Sequence, residues 1–175
     1  MNPWHDIPEK RIRNTEFEAV IEISSESKNK YELDKETGFL RLDRILYTST
    51  HYPANYGFIP RTYAEDNDPL DVLVLCSQPL VPLTLVECYP IGVIKMVDQG
   101  NNDEKIIAVA KNDPVYNSYS NLIDLPSHVE DEIRHFFQVY KMLEHKETIV
   151  ESTGDRKEAE RIIQEAIERY NKYFY

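Results

Sequence analysis

Three carboxylates lie within six residues of this sequence, and an apolar run follows them at once. They are Asp66, Asp68 and Asp71, and the run at 72–75 reads Val-Leu-Val-Leu. Carboxylates this close repel one another unless a cation or a shared proton compensates their charge. The sequence therefore predicts an acidic segment at the start of a buried strand, with a metal ion as its partner. The alternative is an ordinary Asp/Pro turn that introduces a strand.

The composition predicts one globular domain over residues 1–175. Hydrophobic residues make up 41% of the chain and charged residues 29%. No apolar run approaches the length of a membrane span, and the first residues lack the pattern of a signal peptide. Cys76 and Cys88 are well separated, which fits a reducing cytoplasm better than a disulfide scaffold. The net charge of −11 argues against general nucleic-acid binding.

The periodicity changes from β to α along the chain. Strands are predicted at 17–23, 72–76, 85–97 and 106–110, with a hairpin at 30–46. Gly92 is predicted to mark a bulge or bend. Apolar stripes then predict helices over 127–143 and 155–173, and Ser127 with Glu130 matches a capping box. The predicted fold class is α+β, a closed or nearly closed sheet with two C-terminal helices packed against it.

A second acidic pair, Asp98 and Asp103, lies at opposite ends of a polar segment predicted to be a hairpin loop. Loops of one barrel often share a rim, so this pair could meet the first cluster there. A site made only of carboxylates selects hard cations, Mg²⁺ first and Mn²⁺ or Ca²⁺ next. Considered alone, the pair is better explained as part of a solvated loop.

Cations and phenols recur near the predicted strand ends. Lysine, arginine and tyrosine all donate hydrogen bonds to oxyanions, so together they suit a phosphate-binding pocket. Each also has a simpler explanation, since Tyr140 falls on the apolar helical stripe and Arg44 could sit in an ion pair. The residues are Lys30, Arg44, Tyr52, Tyr56, Lys105, Tyr140 and Lys141.

Several other chemistries lack their motifs in this chain. The glycines form neither GxGxxG nor a phosphate-binding P-loop, and there is no GxSxG nucleophile elbow. The histidines include no HExxH and have no cysteine beside them, which argues against a zinc site. Of the chemistries considered, a metal site built from oxygen ligands is the one that remains.

Taken in order, these residues resemble the soluble family I inorganic pyrophosphatases of prokaryotic type. The segment 66–72 is similar to the signature of that family, and the resemblance extends from about Phe17 to Tyr170. One departure is Asn67, where many relatives have Gly, although both residues tolerate left-handed backbone. The other segments that resemble the family in register are 20–23, 29–32, 42–44, 52–57, 90–96 and 136–141.

The resemblance implies a fold, a reaction and a cofactor. The fold is a small five-stranded OB-like β-barrel with two C-terminal helices. The reaction is hydrolysis of inorganic pyrophosphate to two phosphates by direct attack of a metal-activated water. The cofactor is Mg²⁺, several ions per active site, with Mn²⁺ or Zn²⁺ as candidate substitutes. A cytoplasmic homohexamer without nucleic-acid or membrane partners is also implied.

The resemblance assigns roles by position in the chain. Asp68 would be the general base for the attacking water. The metal ligands would be Asp66, Asp71, Asp98 and Asp103. Phosphate groups would be held by Lys30, Arg44, Tyr56, Tyr140 and Lys141. Supporting roles would fall to Glu22, Glu32, Tyr52 and Lys105.

Two other functions stay open on the residues alone. An OB-type barrel can serve as a non-catalytic oligonucleotide-binding module, although the net charge of −11 opposes it. The same metal-binding carboxylates could instead support hydrolysis of nucleotide phosphoanhydrides. The sequence carries no adenine-binding signature that would favour the second alternative.

Overall fold

The computed structural model describes residues 1–175 and contains eight strands and two α-helices. The strands are β1 (Phe17–Ile23), β2 (Asn29–Leu33), β3 (Leu40–Ile45), β4 (Asn55–Phe58), β5 (Asp71–Leu75), β6 (Leu85–Asp98), β7 (Asn101–Ala110) and β8 (Thr148–Gly154). The helices are α1 (Ser127–Val139) and α2 (Arg156–Phe174). Neither helix has the length and apolarity that a membrane crossing requires.

Five of the strands pair in a ring. The order β1, β4, β5, β7, β6 is completed by a further pairing between β1 and β6. Within the ring only β5 and β7 run parallel, and Asp71 lies beside Lys105 in their register. β8 extends the sheet from β6, while β2 and β3 form a separate hairpin. The predicted α+β fold with an OB-like five-stranded sheet is confirmed.

Both faces of the central strands are buried, which explains their continuous apolar sequences. Along β5, Val72 and Val74 pack into the cluster that includes α2, whereas Leu73 and Leu75 pack into the cluster that includes α1. This alternation follows from the two-residue period of a strand. The two helices therefore cover opposite faces of the same strands. The end of α1 consequently lies close to the first residues of β7.

The β6–β7 hairpin is longer than the sequence indicates. Its polar segment 98–105 is not a loop, because the strands run through it to a two-residue turn. Gln99 and Gly100 both have positive φ, the conformation that favours tight hairpin turns. Gly92 does coincide with a register shift in this ladder, as predicted. Asp98 and Asp103 consequently lie on paired strands, not on a mobile connection.

The predicted capping box at the start of α1 is wrong. Pro126 occupies the N-cap, Ser127 is already the first helical residue, and no side chain caps the helix. The Glu130 carboxylate instead accepts a hydrogen bond of 2.9 Å from Thr153 Oγ1 of β8. The Glu130 side chain thus joins α1 to a strand that the sequence analysis did not identify.

Candidate active site

A cavity of about 250 Å³ opens where the 64–71 segment meets β2, the β6–β7 hairpin and the end of α1. We call residues 64–71 the acidic loop; Asp71, its last residue, is also the first residue of β5. The cavity wall includes every predicted site residue except Arg44 and Tyr52. Those in the wall are Glu22, Lys30, Glu32, Tyr56, Asp66, Asp68, Asp71, Asp98, Asp103, Lys105, Tyr140 and Lys141.

The acidic loop is a compact turn with its carboxylates at an exposed tip. Ala64 N donates to Asp68 O at 2.8 Å, and Asn67 N donates to Ala64 O at 3.1 Å. Asp68 N donates to Asp66 Oδ1 at 3.1 Å. At the base of the loop, Leu70 N donates to the buried Thr62 Oγ1 at 2.9 Å. The loop therefore projects Asp66 and Asp68 from a fixed base beside the cavity.

The hairpin supplies the opposite wall. Asp98 lies opposite Asn101, Met96 opposite Asp103, and Ile94 opposite Lys105. Directly opposed residues of an antiparallel pair share one face of the sheet, as do residues two apart on one strand. Asp98, Asp103 and Lys105 therefore all project from the same face, and the parallel register places Asp71 next to Lys105.

Lys105 is the electrostatic centre of the cavity. Its ammonium nitrogen lies 2.9 Å from Asp71 Oδ2, 3.2 Å from Asp103 Oδ2 and 2.9 Å from Tyr56 Oη. Burial alone would lower the pKa of Lys105, but the Asp103 and Asp71 carboxylates outweigh it and hold the pKa well above its ordinary value. Lys105 is therefore a permanent buried cation that links carboxylates of two strands.

Two further lysines neutralise carboxylates of the cavity. Lys141 Nζ lies 2.5 Å from Asp98 Oδ2, and Lys35 forms an ion pair with Asp68. In this structure no three His, Cys, Asp or Glu side chains are grouped closely enough to hold a metal ion. Ammonium groups instead compensate four of the carboxylates, those of Asp68, Asp71, Asp98 and Asp103.

The carboxylates nevertheless fit a hard cation. Asp66 is exposed as a residue, but partial desolvation of its carboxyl, with the Asp71 charge next, raises the pKa of Asp66 to about 6. Burial also raises the pKa of Asp103, although Lys105 opposes the shift. Carboxylates that resist ionisation in their own surroundings are stabilised by an added positive charge. All of the candidate ligands offer oxygen atoms, which are the ligands that Mg²⁺ prefers.

The tyrosines of the site are neutral donors. Burial raises the pKa of Tyr52, Tyr56 and Tyr140 above the ordinary value, so their hydroxyls keep their protons. Tyr56 and Tyr140 line the cavity, whereas Tyr52 lies behind them and packs against the Tyr56 ring at 5.3 Å between centroids. Tyr140 is 4% exposed and packs on Phe136, so it is both a core residue and a cavity residue.

Glu22 is a buried carboxyl at the back of the cavity. Leu33 N donates to its Oε2 at 2.7 Å. Burial dominates over this hydrogen bond and raises the pKa of Glu22 from 4.5 to about 8. Glu22 is therefore protonated at neutral pH in the folded protein, unlike in the unfolded chain.

This raised pKa predicts a pH-dependent stability that Glu22→Gln removes. The folded protein keeps a proton that the unfolded chain releases, so stability falls as the pH rises from about 4.5 towards about 8. Between about pH 5.5 and 7.5 the free energy of unfolding of wild type should fall by roughly 2 to 3 kcal/mol relative to that of the Glu22→Gln variant. Urea unfolding in EDTA measures this difference. Equal pH slopes for the two proteins would contradict a protonated Glu22.

Arg44 is held away from the cavity. Its guanidinium lies 2.5 Å from Asp43 Oδ2 and 2.7 Å from Glu144 Oε1. The Nη2 atom of Arg44 and the Oε2 atom of Glu144 are buried without a hydrogen-bond partner. The structure thus places Arg44 in the ion pair that the sequence left open, and its predicted phosphate contact stays a prediction.

Sequence reasoning missed two charged residues near the site. Lys35, which lines the cavity, falls in a turn-forming segment that gave no other signal. Glu144 lies in a short 3₁₀ turn after Lys141 and reaches Arg44 across the fold. Neither residue belongs to a motif, so its spacing does not distinguish it from the many other charged residues of the chain.

The fold and the cavity together define a class of protein. Carboxylates from two elements face lysines and neutral tyrosines across one cavity, and a five-stranded OB-like sheet carries them. Oxygen ligands for a hard cation beside donors for oxyanions are the components of metal-assisted phosphoryl chemistry. The molecule therefore belongs among the metal-dependent enzymes that act on phosphate groups.

Comparisons with known proteins specify the family. The family model described as inorganic pyrophosphatase matches residues 19–171. A soluble inorganic pyrophosphatase of Chlamydomonas reinhardtii is 45% identical over 173 residues, covering 99% of this chain and 90% of the relative. One from Solanum tuberosum is 48% identical over 172 residues, covering 98% of this chain and 82% of the relative. The chain belongs to the inorganic pyrophosphatase family, as its sequence predicts.

Solved structures agree with this assignment. The inorganic pyrophosphatase of Thermus thermophilus superposes with a TM-score of 0.93 at 38% identity, covering 98% of this chain and 99% of that one. The Helicobacter pylori enzyme gives a TM-score of 0.88 at 41% identity, with coverage of 90% and 95%. The similarity thus extends over the barrel, the hairpin and both helices.

Proposed function

We propose that the protein hydrolyses inorganic pyrophosphate to two phosphates with Mg²⁺ as its cofactor. The observation that carries the proposal is the cavity itself. It brings the acidic loop and the β6–β7 hairpin together with three lysines to which the family resemblance assigns phosphate binding or support. Those lysines are Lys30, Lys105 and Lys141.

The proposed metal ligands are Asp66, Asp71, Asp98 and Asp103. Their oxygen donors and the raised pKa values of Asp66 and Asp103 favour a divalent cation. When bound, Mg²⁺ would offset substrate charge and lower the pKa of water towards about 7. Mn²⁺ or Zn²⁺ are candidate substitutes, because carboxylates accept both.

Asp68 is the proposed general base. It lies at the exposed tip of the acidic loop between the ligands Asp66 and Asp71, and it forms part of the cavity wall. Its ion-pair partner Lys35, which lines the same cavity, holds the carboxylate at the cavity edge. The role of Asp68 is to orient the attacking water and take the proton that this water loses.

Phosphate groups are the proposed partners of the donors on the other walls. Lys30 and Lys141 carry positive charge into the cavity, and Tyr56 and Tyr140 offer neutral hydroxyls. These groups would offset charge on the leaving phosphate, and such stabilisation is largest where water is excluded. Arg44 would join them through Nη2, because Asp43 and Glu144 already bind Nη1 and Nε.

The proposal also includes a quaternary state and a cellular compartment. A cytoplasmic homohexamer is the arrangement implied by the prokaryotic members of the family. Exposed apolar side chains in and just after the β2–β3 hairpin, among them Phe39, Leu42 and Tyr47, would favour contact with another protein surface.

Phosphate release from pyrophosphate tests the proposal. With Mg²⁺ present, hydrolysis of pyrophosphate should exceed that of ATP at equal concentrations by at least about 10²-fold in kcat/KM, because the proposed donors bind phosphate groups and the sequence carries no adenine-binding signature. EDTA should abolish both reactions. A pure, folded protein that releases no phosphate from pyrophosphate would overturn the function. Preference for ATP would favour the nucleotide hydrolase, and salt-sensitive binding of single-stranded oligonucleotides without hydrolysis would favour the binding module.

A further inference from the structure

We propose that Tyr63 is a positioning residue of the acidic loop. Its hydroxyl donates a hydrogen bond of 3.0 Å to the side-chain oxygen of Asn67, Oδ1. Asn67 stands directly between Asp66 and Asp68. The bond therefore ties the tip of the loop to the protein body at the residue that separates a proposed metal ligand from the proposed base. The inference deepens the proposed function and rests on it for its effect on hydrolysis.

Asn67 adopts a conformation that needs support. Its φ is 68°, in the left-handed region that most side chains avoid. Asparagine tolerates this region better than most residues, but it remains less favourable there than glycine. The loop tip is exposed, and no other side-chain hydrogen bond reaches Asn67. The Tyr63 hydroxyl is thus the side-chain contact that holds Asn67 itself, in addition to the hydrogen bonds among residues 64–68 that close the turn.

Tyr63 itself is fixed by α2. Its backbone N–H donates to Ala166 O at 3.0 Å, and its carbonyl oxygen accepts from Arg169 Nη1 at 2.8 Å. The residue is only 8% exposed. Since both ends of its backbone are held by one rigid helix, the hydroxyl keeps a defined position relative to that helix.

An aromatic cluster holds the ring as well. The Tyr63 ring centroid lies 4.8 Å from that of Tyr173 and 6.1 Å from that of Trp4. Trp4 Nε1 donates to Thr62 O at 2.9 Å, one residue before Tyr63. The N-terminal segment and α2 therefore both contact Tyr63, the residue that supports the acidic loop.

The consequence for the site is preorganisation. Without the Tyr63–Asn67 bond the loop tip can leave the left-handed turn, and the two carboxylates flanking Asn67 change direction. The free-energy cost of ordering the loop would then reduce the net free energy of Mg²⁺ binding. A hydrogen bond of this kind contributes about 0.5 to 1.5 kcal/mol, so its loss should weaken Mg²⁺ binding about 2- to 10-fold.

A double-mutant cycle measures this coupling. Tyr63→Phe keeps the ring and removes the hydroxyl, whereas Asn67→Gly keeps the turn accessible and removes the acceptor. Isothermal titration of the metal-depleted protein with MgCl₂ gives the affinity of each variant without any turnover. We expect Tyr63→Phe to weaken Mg²⁺ binding about 2- to 10-fold in the wild-type background and less than about 1.5-fold in the Asn67→Gly background.

A matched control separates positioning from stability. Tyr89→Phe also removes one hydroxyl hydrogen bond, the 2.6 Å bond to Tyr119 O, but outside the cavity wall. It should lower the melting temperature as Tyr63→Phe does and leave Mg²⁺ affinity unchanged. Wild-type affinity in Tyr63→Phe, or equal effects of that substitution in both backgrounds, would overturn the proposal. Coupled Mg²⁺ affinities in a protein that does not hydrolyse pyrophosphate would overturn only the proposed function.

Discussion

Asp68→Asn is expected to reduce kcat for pyrophosphate hydrolysis by about 10²- to 10⁴-fold, the usual contribution of a general base. The amide has nearly the same shape as the carboxylate but cannot accept a proton from water. Asp66 and Asp71, on either side, keep their carboxylates, so Mg²⁺ should still bind. The measurement is phosphate release at saturating Mg²⁺ and pyrophosphate, together with a Mg²⁺ titration of the same preparation.

Glu65→Gln is the matched control for this substitution. It makes the same chemical change in the same loop, on an exposed side chain outside the wall of the cavity that holds Asp68. Its kcat should stay within about twofold of wild type, as surface substitutions usually do. An Asp68→Asn protein with full activity would remove Asp68 from the mechanism and leave pyrophosphate hydrolysis to another base or to water alone.

Lys105→Met should destabilise the metal-depleted protein by about 3 kcal/mol or more. The substitution keeps most of the buried volume but leaves the Asp71 and Asp103 carboxylates without their shared cation. Removing one partner from a buried ion pair costs about 3 to 5 kcal/mol, because the other charge stays desolvated. Saturating Mg²⁺ should return part of this loss, since it supplies positive charge to the same carboxylates. Urea unfolding in EDTA measures the loss of stability, and urea unfolding in excess Mg²⁺ measures the part that the cation returns.

Lys111→Met provides the comparison on the surface. Lys111 pairs with Glu16 at 2.7 Å, but both side chains are substantially exposed. Its loss should leave stability close to that of wild type, with no added response to Mg²⁺. If Mg²⁺ stabilised Lys105→Met no more than wild type, the Asp71–Asp103 pair would not be where the cation binds.

The predicted strands β1, β5, β6 and β7 are recognisable by their buried apolar runs, and the largely exposed β2–β3 hairpin by its alternation and its turn residues. β4 and β8 escaped prediction for different reasons. β4 is only four residues long, and its Gly57 is needed because a Cβ there would meet Val20 O at 1.8 Å. β8 is largely exposed and polar, and its strand form comes from pairing with β6. Both depend on partners distant in sequence, which a local pattern does not record.

The candidate site was predictable where its residues are close together in the sequence. The spacing of Asp66, Asp68 and Asp71 already indicated one cluster, and the structure places all three in the cavity wall. Which cation compensates which carboxylate was not predictable. Lys35 reaches Asp68 from a hairpin turn, and Glu144 draws Arg44 aside. Such pairings follow from three-dimensional proximity, for which the sequence carries no local signal.

The two-residue turn at Gln99 and Gly100 limits which changes in chain length this protein can accept. One residue inserted there would shift the pairing of β7 against β6 by one position, and alternate side chains of a strand point to opposite faces. Asn102 and Glu104 would then take the places of Asp103 and Lys105, so a carboxylate would replace the buried cation of the wall. The connection between β5 and β6, by contrast, contributes no residue to the cavity wall. Among natural variants, insertions should therefore accumulate near residues 77–84 and be absent at the hairpin tip.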